Sequence, residues 1–543
     1  MKHILIITIL FSQIKISFSQ KIVSEKWSNG NKKVEGQYNY MGKEKGKWNY
    51  YYQNGNLREE FNYVNGELNG KVAYWYENGK PKDDGYFRMG IQDSIKIGWY
   101  ENGQKKEQGF YKRGTKDSVW IYWYENGEKQ WEEKWTKGKF QPINYWDKKG
   151  KQLMKDGDGI YNLYYPNGQK KEEINYLKGK RNGTCKEWYE DDNLKSTVNY
   201  KDDFKDGKYN EWYNLGKIKL AVYFKDGKKE GEWTEWYENG NKWKNFFYQN
   251  DKENGAFTQW YEIGKINIKG EFLNGIKAGE WIWNYENGKK NMQGNYLNGK
   301  KDSVWKYWFE AGTMDAEGFF KNDLKNGLWI YYYKSENKWK AGNYKNDLRE
   351  GKWTYLFESG QKVQEGNFLN DKEDSLWTSW YDNGQKKDEG FYTNGKMNGA
   401  WNGWFKDGKK NYEGHWIIGV REGKWIYYYP NGKITDEGNY KKNKKDGLWV
   451  NYFDTGIKES EGNYDDGKPN GKWIYYYKIG QKSKEQKYDG GKLDGKSIEF
   501  YEGGKTQSET SYKNGKKHGK TIIYDKHGTV IFQGDYKDGK EIK

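Results

Sequence analysis

The chain has 543 residues and carries 30 Trp, 51 Tyr, 22 Phe and 69 Gly, but only 5 Pro, 4 His and 1 Cys. Aromatics make up 19% of it, hydrophobic residues 34%, and Lys plus Arg exceed Asp plus Glu by 17. This composition excludes a collagen, a coiled coil, a multi-span membrane protein and a disulfide scaffold, and it places the apolar burial in aromatic rings rather than in aliphatic runs.

Residues 1–19 read as a secretory signal. Lys2 and His3 give a short basic start, Ile4 to Phe11 is apolar apart from Thr8, and Ser17-Phe18-Ser19 puts small residues where a signal peptidase reads. Cleavage is expected before Gln20, and the mature chain is expected to be exported, whether to a periplasm, a cell surface or the medium. The apolar stretch is shorter than the roughly 20 residues of a membrane-spanning helix.

Internal repeats organise everything that follows. Gly46 opens a unit whose equivalents fall at 70, 94 and 118, then at 159 and every 24 residues to Gly519. Residues 20–45 form a partial first repeat, 46–138 regular repeats, 139–158 one shortened, degenerate repeat, and 159–543 regular repeats again. Counting the opening Gly as offset 0, the unit is G-x-W-x-x-[WY]-[YF]-x-N-G-x-x-x-x-E-G-x-[YF]-x-N-[GD]-x-x-[DN]. Offset 17 is aromatic in every regular copy, from Tyr63 to Tyr536, and offset 6 in all but the last, which has Asp525. Such regularity leaves no room for an inserted catalytic domain.

The W-x-x-[WY]-[YF] run has high strand propensity and no helical period. Asn-Gly at offsets 8 and 9, as in Asn54-Gly55 and Asn78-Gly79, predicts a two-residue type I′ hairpin turn. A second strand then carries E-G-x-[YF], and the next Asn-Gly or Asn-Asp is expected to open a longer turn back to the following unit. Paired offsets then sum to 17. Trp at offset 2 faces Gly at 15, and Gly at 0 faces the ring at 17. Both glycines read as aromatic partners first and turn formers second. One sheet face takes offsets 0, 2, 6, 15 and 17, and the other takes the aromatic at 5 and the Glu at 14. The fold class is all-β: an elongated, twisted antiparallel β-meander or solenoid of about twenty hairpin repeats, with contacts between neighbours only.

The pattern Y-x-N-G-x-x-x-x-E-G-x-Y-x-N-G, as in Tyr381–Trp401 and Tyr100–Gly114, resembles MORN repeats. It is most similar to the variant of bacterial YwqK-family antitoxins. The resemblance implies a sheet used for protein–protein contact and scaffolding, sometimes near membranes.

No residue set offers chemistry. HExxH, CxxC, G-x-S-x-G and phosphate-loop patterns are absent. Cys185 is alone, and His518 and His527 sit at turn offsets. The expectation is a non-enzyme without catalytic residues, cofactor or metal. Trp329, Tyr333, Gly342, Tyr344, Trp353, Gly366, Trp377, Tyr381, Gly390 and Tyr392 read as structural, holding the hairpins together. At offset 5, on the opposite face, Trp188, Trp212, Trp236, Trp260, Trp308, Trp380 and Trp404 form a candidate binding row. Such a row can stack on partner side chains, sugars or bases. The leading reading is an exported scaffold that binds protein partners. One alternative is a cell-wall or glycan-binding surface module, since aromatic, Gly-rich repeats also build choline-binding modules. Another is an antitoxin-like protein neutralising a partner toxin. A membrane surface is a further candidate partner, and nucleic acid is disfavoured by export.

Overall fold

The computed structural model describes residues 20–542, so the expected signal at 1–19 lies outside the described residues. Among them lie forty-nine strands and no helix, paired antiparallel along the chain. The chain divides into two compact units, Met1–Glu253 and Asn254–Lys543. Within each, consecutive hairpins lie side by side as a meander.

The repeat beginning at Gly351 shows the local logic. Strands Leu348–Leu356 and Lys362–Leu369 pair with Gly351 opposite Phe368, Trp353 opposite Gly366 and Tyr355 opposite Gln364. That register, with offsets summing to 17, is the expected one. Nearer the turn it slips, because Leu356 faces Lys362 and Val363 is left over as a bulge.

The slip corrects the expected turn. In the first hairpin connection the Tyr52 N–H donates to the Asn56 carbonyl and the Gly55 N–H to the Tyr52 carbonyl. Only the glycine is left-handed, with φ of +91° at Gly55 and +83° at Gly79. A type I′ turn needs positive φ at both central residues. This connection is instead a three-residue loop, a type I turn closed by a left-handed glycine. The loop is one residue longer than expected, and the bulge at offset 12 restores the register beyond it.

The type I′ turn occurs at the other connection, where a longer turn was expected. Asn346 and Asp347 have φ of +52° and +68°, Asn298 and Gly299 +52° and +78°. Two-residue loops therefore join the hairpins, as Lys345 pairs with Leu348 directly. The ladder is then interrupted. Asn343 faces Glu350 but Gly342 faces Trp353, so Gly351 and Lys352 are extra. Gly351 takes φ +66° in this bulge, and a Cβ there would touch nothing within 4 Å. The glycine at offset 0 is thus a backbone-conformation requirement, not the aromatic partner it was read as.

Offset 15 behaves as read, with one change. A Cβ on Gly342 would lie 2.2 Å from the ring of Trp353, which belongs to the next hairpin. The indole therefore covers the glycine of the preceding hairpin and binds the two hairpins together.

The cores of the units differ. In the second unit Trp281, Trp305, Trp329, Trp353, Trp377, Trp401, Trp425, Trp449 and Trp473 are all buried at offset 2. In the first unit the same face is mixed, with Trp48, Val72, Trp120, Cys185 and Val222. Residues 139–158 form strands Lys139–Trp146 and Gln152–Lys155, and their Tyr145 and Met154 are fully buried.

Candidate functional site

Both faces of the sheet carry ordered rows, so each is a candidate surface. On the offset-5 face, Trp188, Trp212 and Trp236 lie in the first unit and Trp260, Trp308, Trp380 and Trp404 in the second, all half-buried. Several are capped by a lysine from the preceding hairpin. Lys170 stands 5.2 Å over Trp188, Lys290 5.4 Å over Trp308, Lys362 5.2 Å over Trp380 and Lys386 5.6 Å over Trp404. These lysines are held in turn by the residue three positions on, a Glu in Lys170–Glu173 at 2.8 Å and Lys386–Glu389 at 2.6 Å and a Gln for Lys290, which donates to Gln293. Where offset 5 is Tyr, its hydroxyl donates to that Glu instead, as from Tyr476 to Glu461 at 2.5 Å. Lys458 and then the Tyr476 hydroxyl hold the Glu461 carboxyl below the usual range. Ring, cation and carboxylate form one frame that leaves the row little bare aromatic surface.

The same face does expose apolar side chains at offsets 1 and 16. In the second unit Val304 and Phe319 face each other across one hairpin, and Leu376 and Phe391 across another. They are 49%, 38%, 41% and 47% exposed. Sequence reading missed these pairs, although their signal is plain: an apolar residue directly after offset 0 combined with Phe directly after the conserved glycine.

The opposite face is closed on itself over most of the repeats. Tyr344 stands edge-on between Trp329 and Trp353, Phe368 between Trp353 and Trp377, and Tyr392 between Trp377 and Trp401. The indole N–H of Trp353 donates to the Asn343 carbonyl at the bulge, 3.0 Å away. Gly366 and Gly390 lie under the rings of Trp377 and Trp401 as Gly342 lies under Trp353. Tyr333 and Tyr381 reach past the turn, and their hydroxyls donate to the Leu356 and Trp404 carbonyls of the next hairpin. Asn383 at offset 8 does the same for the Lys406 carbonyl. The residues read as structural therefore meet one another.

Two rows on this face escaped sequence reading. Offset 4 carries Tyr307, Tyr331 and Tyr355, each tilted against the Trp at offset 2. Two residues before the opening glycine a lysine covers the same indole, with Lys301 4.3 Å over Trp305 and Lys325 4.3 Å over Trp329. Burial pushes the ammonium groups of Lys301 and Lys325 below the usual lysine range.

Both rows are interrupted together over two successive hairpins. Offset 4 is Ser379 and then Gly403, and the covering lysine is replaced by Glu373 and then Met397. The break is a cavity of about 800 Å³ whose walls include Trp377, Ser379, Asp388, Tyr392, Trp401 and Tyr412. Asp388 accepts hydrogen bonds from Tyr412 at 2.7 Å and Ser379 at 3.2 Å. Burial, and then the Asp388 carboxylate, push the Tyr412 hydroxyl far above the usual tyrosine range.

Elsewhere Cys185 is buried and unpaired, and burial raises its thiol pKa. His518 lies 3.4 Å from Asp538 in a turn, and among the described residues no three His, Cys, Asp or Glu cluster as metal ligands.

Eleven segments match the family described as MORN repeat variant: 44–65, 93–113, 157–178, 181–202, 229–250, 277–298, 349–370, 373–394, 421–442, 445–466 and 493–514. No curated protein matches the chain. Among solved structures, TcdB2-TccC3 without its hypervariable C-terminal region is 9% identical, over 94% of this chain and 28% of that one, with a TM-score of 0.13. TcdB2-TccC3-Cdc42 is 10% identical over 96% and 34%, with a TM-score of 0.12. A Tc holotoxin pore of Photorhabdus luminescens gives the same figures. The chain spans about a third or less of those chains.

Proposed function

We propose, from a chain in which eleven segments match the MORN repeat variant, a non-enzymatic scaffold that binds protein partners across its sheet. The observation that carries this reading is the asymmetry of the two faces. One face buries its own tryptophans under tyrosines and lysines. The other leaves the cross-strand pairs Val304–Phe319 and Leu376–Phe391 exposed in a frame of charged residues. An apolar stripe with a charged rim is the composition of a protein-binding surface. Contact then centres on offsets 1 and 16. The Trp row beside them acts mainly through its lysines. Export through the 1–19 segment remains part of the proposal, on the strength of Ile4 to Phe11. No observation on the sheet favours a glycan, a toxin or a membrane over protein as the ligand.

The test is a crosslinked pull-down with the chain from Gln20 onward, using envelope and culture fractions of its own cells. Two further baits carry Leu376→Lys with Phe391→Lys, and Trp380→Ser with Trp404→Ser. A protein retained by the wild type and lost with the first pair supports the reading. Retention of polysaccharide or lipid alone, or loss only with the tryptophan pair, refutes it.

A further inference from the structure

The cavity at Ser379 and Gly403 has an internal template 48 residues further on. There Lys445 stands 3.8 Å over Trp449, and its ammonium lies 3.9 Å from the Asp436 carboxylate. Asp436 faces Asn451 across the strands, and Gly438 faces Trp449. In the cavity the frame is the same: Asp388 faces Gly403, and Gly390 faces Trp401. What differs is the cation and the side chains beside it, with Ser379 where the template has Tyr427, and Tyr412, its ring over Gly403, where the template has Ser460. Position 397 is Met where the template has Lys445, and 403 is Gly where it has Asn451. The carboxylate and the indole face are kept while the ammonium that joins them is not.

The surroundings fit the same vacancy. One hairpin earlier Glu373 replaces the basic residue, so two successive indoles, Trp377 and Trp401, though buried, have no ammonium over them such as Lys301, Lys325 and Lys445 supply to theirs. Asp388 is bound by hydroxyls and forms no ion pair among the described residues. Two other cations line the cavity, but both are engaged at its rim. Lys406 pairs with Asp382 at 2.7 Å, and Lys387 lies over the Tyr381 ring.

We propose that this cavity receives a lysine side chain of a bound polypeptide, its ammonium set over Trp401 and against Asp388 as that of Lys445 is set over Trp449 and against Asp436. The inference rests on the reading of this chain as a protein binder, and it adds one anchor on the tryptophan face, opposite the exposed apolar pairs. Attraction between an ammonium and a shielded indole face, joined to a charge pair in a half-buried site, favours lysine over a neutral side chain of equal length by about tenfold or more. The chain's own charge of +17 opposes a free cation in bulk, so the selectivity must come from this local frame.

The experiment is calorimetric titration of the purified chain with a capped Gly-Lys-Gly peptide, its norleucine counterpart and n-butylammonium. The variants are Met397→Lys, Met397→Leu and Asp388→Asn. Met397→Lys rebuilds the template and fills the cavity from within, so it is expected to fold and to abolish peptide binding. Met397→Leu is expected to keep binding, and Asp388→Asn to weaken it about tenfold. Equal binding of the lysine and norleucine peptides, undiminished binding by Met397→Lys, or butylammonium binding as tightly as the peptide each overturn the proposal. The two readings separate cleanly. If the pull-down partner is retained equally by wild type and Met397→Lys, the scaffold stands and the lysine site falls. Lysine-peptide binding without any protein partner leaves the site and removes the scaffold.

Discussion

Gly342→Ala tests the packing on which the second unit depends. The added Cβ would sit 2.2 Å from Trp353 Cδ2 and 2.4 Å from Cε2 and Cγ. Ordinary carbon contacts begin near 3.5 Å, so the indole must retreat by more than about 1 Å. It has nowhere close to go. Tyr344 stands edge-on at 5.1 Å, and the indole N–H is fixed to the Asn343 carbonyl at 3.0 Å. Overpacking of this kind costs about 1–3 kcal/mol, and losing the hydrogen bond about 1 more. The expected loss is about 2–4 kcal/mol. The first unit contains the alternative. Val222 stands where the glycine should be, and Trp233 after it sends its N–H to Glu235 instead of back to a bulge carbonyl. Hydrogen exchange by mass spectrometry, read on peptides covering 338–356, measures the local cost in the full chain. Trp353→Val alone and the double variant complete a cycle. With the indole gone the alanine has room, so the double variant should be about 2 kcal/mol less destabilised than the sum of the singles. A local cost under about 1 kcal/mol, or strict additivity, refutes the argument that glycine is required by the indole.

Tyr381→Phe removes the hydroxyl that satisfies the Trp404 carbonyl, and should cost about 1 kcal/mol locally, read as faster amide exchange around 404. Glu336 holds a left-handed backbone, φ +68°, where its equivalents other than Asp192 are glycine. Glu336→Gly should therefore raise stability by about 0.5–1 kcal/mol in denaturant unfolding. Glu35 is held down to about 2 by hydrogen bonds from Lys32 and then Tyr51, against opposing burial. Its stabilisation of the first hairpins is therefore complete above the ordinary glutamate pKa and disappears as pH falls from about 4.5 toward 2. Carboxyl NMR titration of Glu35 should show the low value, and Lys32→Met should move it up.

How much was legible depended on which physical cue each residue carried. The hairpin, the 24-residue register and the glycine under an indole followed from strand propensity, period two and the pairing of the largest side chain with the smallest. The two turns came out exchanged because Asn-Gly occurs at both, and the dipeptide alone does not state loop length. The discriminating cue is Asn at offset 8. Its side chain caps its own turn, as Asn54 does for the Asn56 N–H, and donates to the next hairpin, to Glu77. That is a role for a type I turn with a single left-handed glycine. The lysines over several buried indoles were missed because a basic residue in a charged repeat reads as solvated surface. Only the ring 4.3 Å below Lys325 distinguishes it. For the same reason the cavity at Met397 was invisible, since its signal is the loss of a regularity that had not been seen.

In most repeats of the second unit a hairpin gives its indole to the glycine before it and its tyrosine hydroxyl to the carbonyl after it, as Trp353 does to Gly342 and Tyr333 to Leu356. Those junctions within the second unit therefore have the same two halves. In genetic terms the length of such a chain is close to a free variable. Recombination that adds or removes 24 residues between equivalent offsets restores an identical junction, while an insertion of any other length strands an indole without its glycine. Residues 139–158 fall short of a full period, and the chain accommodates them with a strand of only four residues, Gln152–Lys155, and a Gly159 seated against the Leu153 carbonyl. Variation among copies of this gene should thus appear as whole repeats gained or lost, in steps of 24.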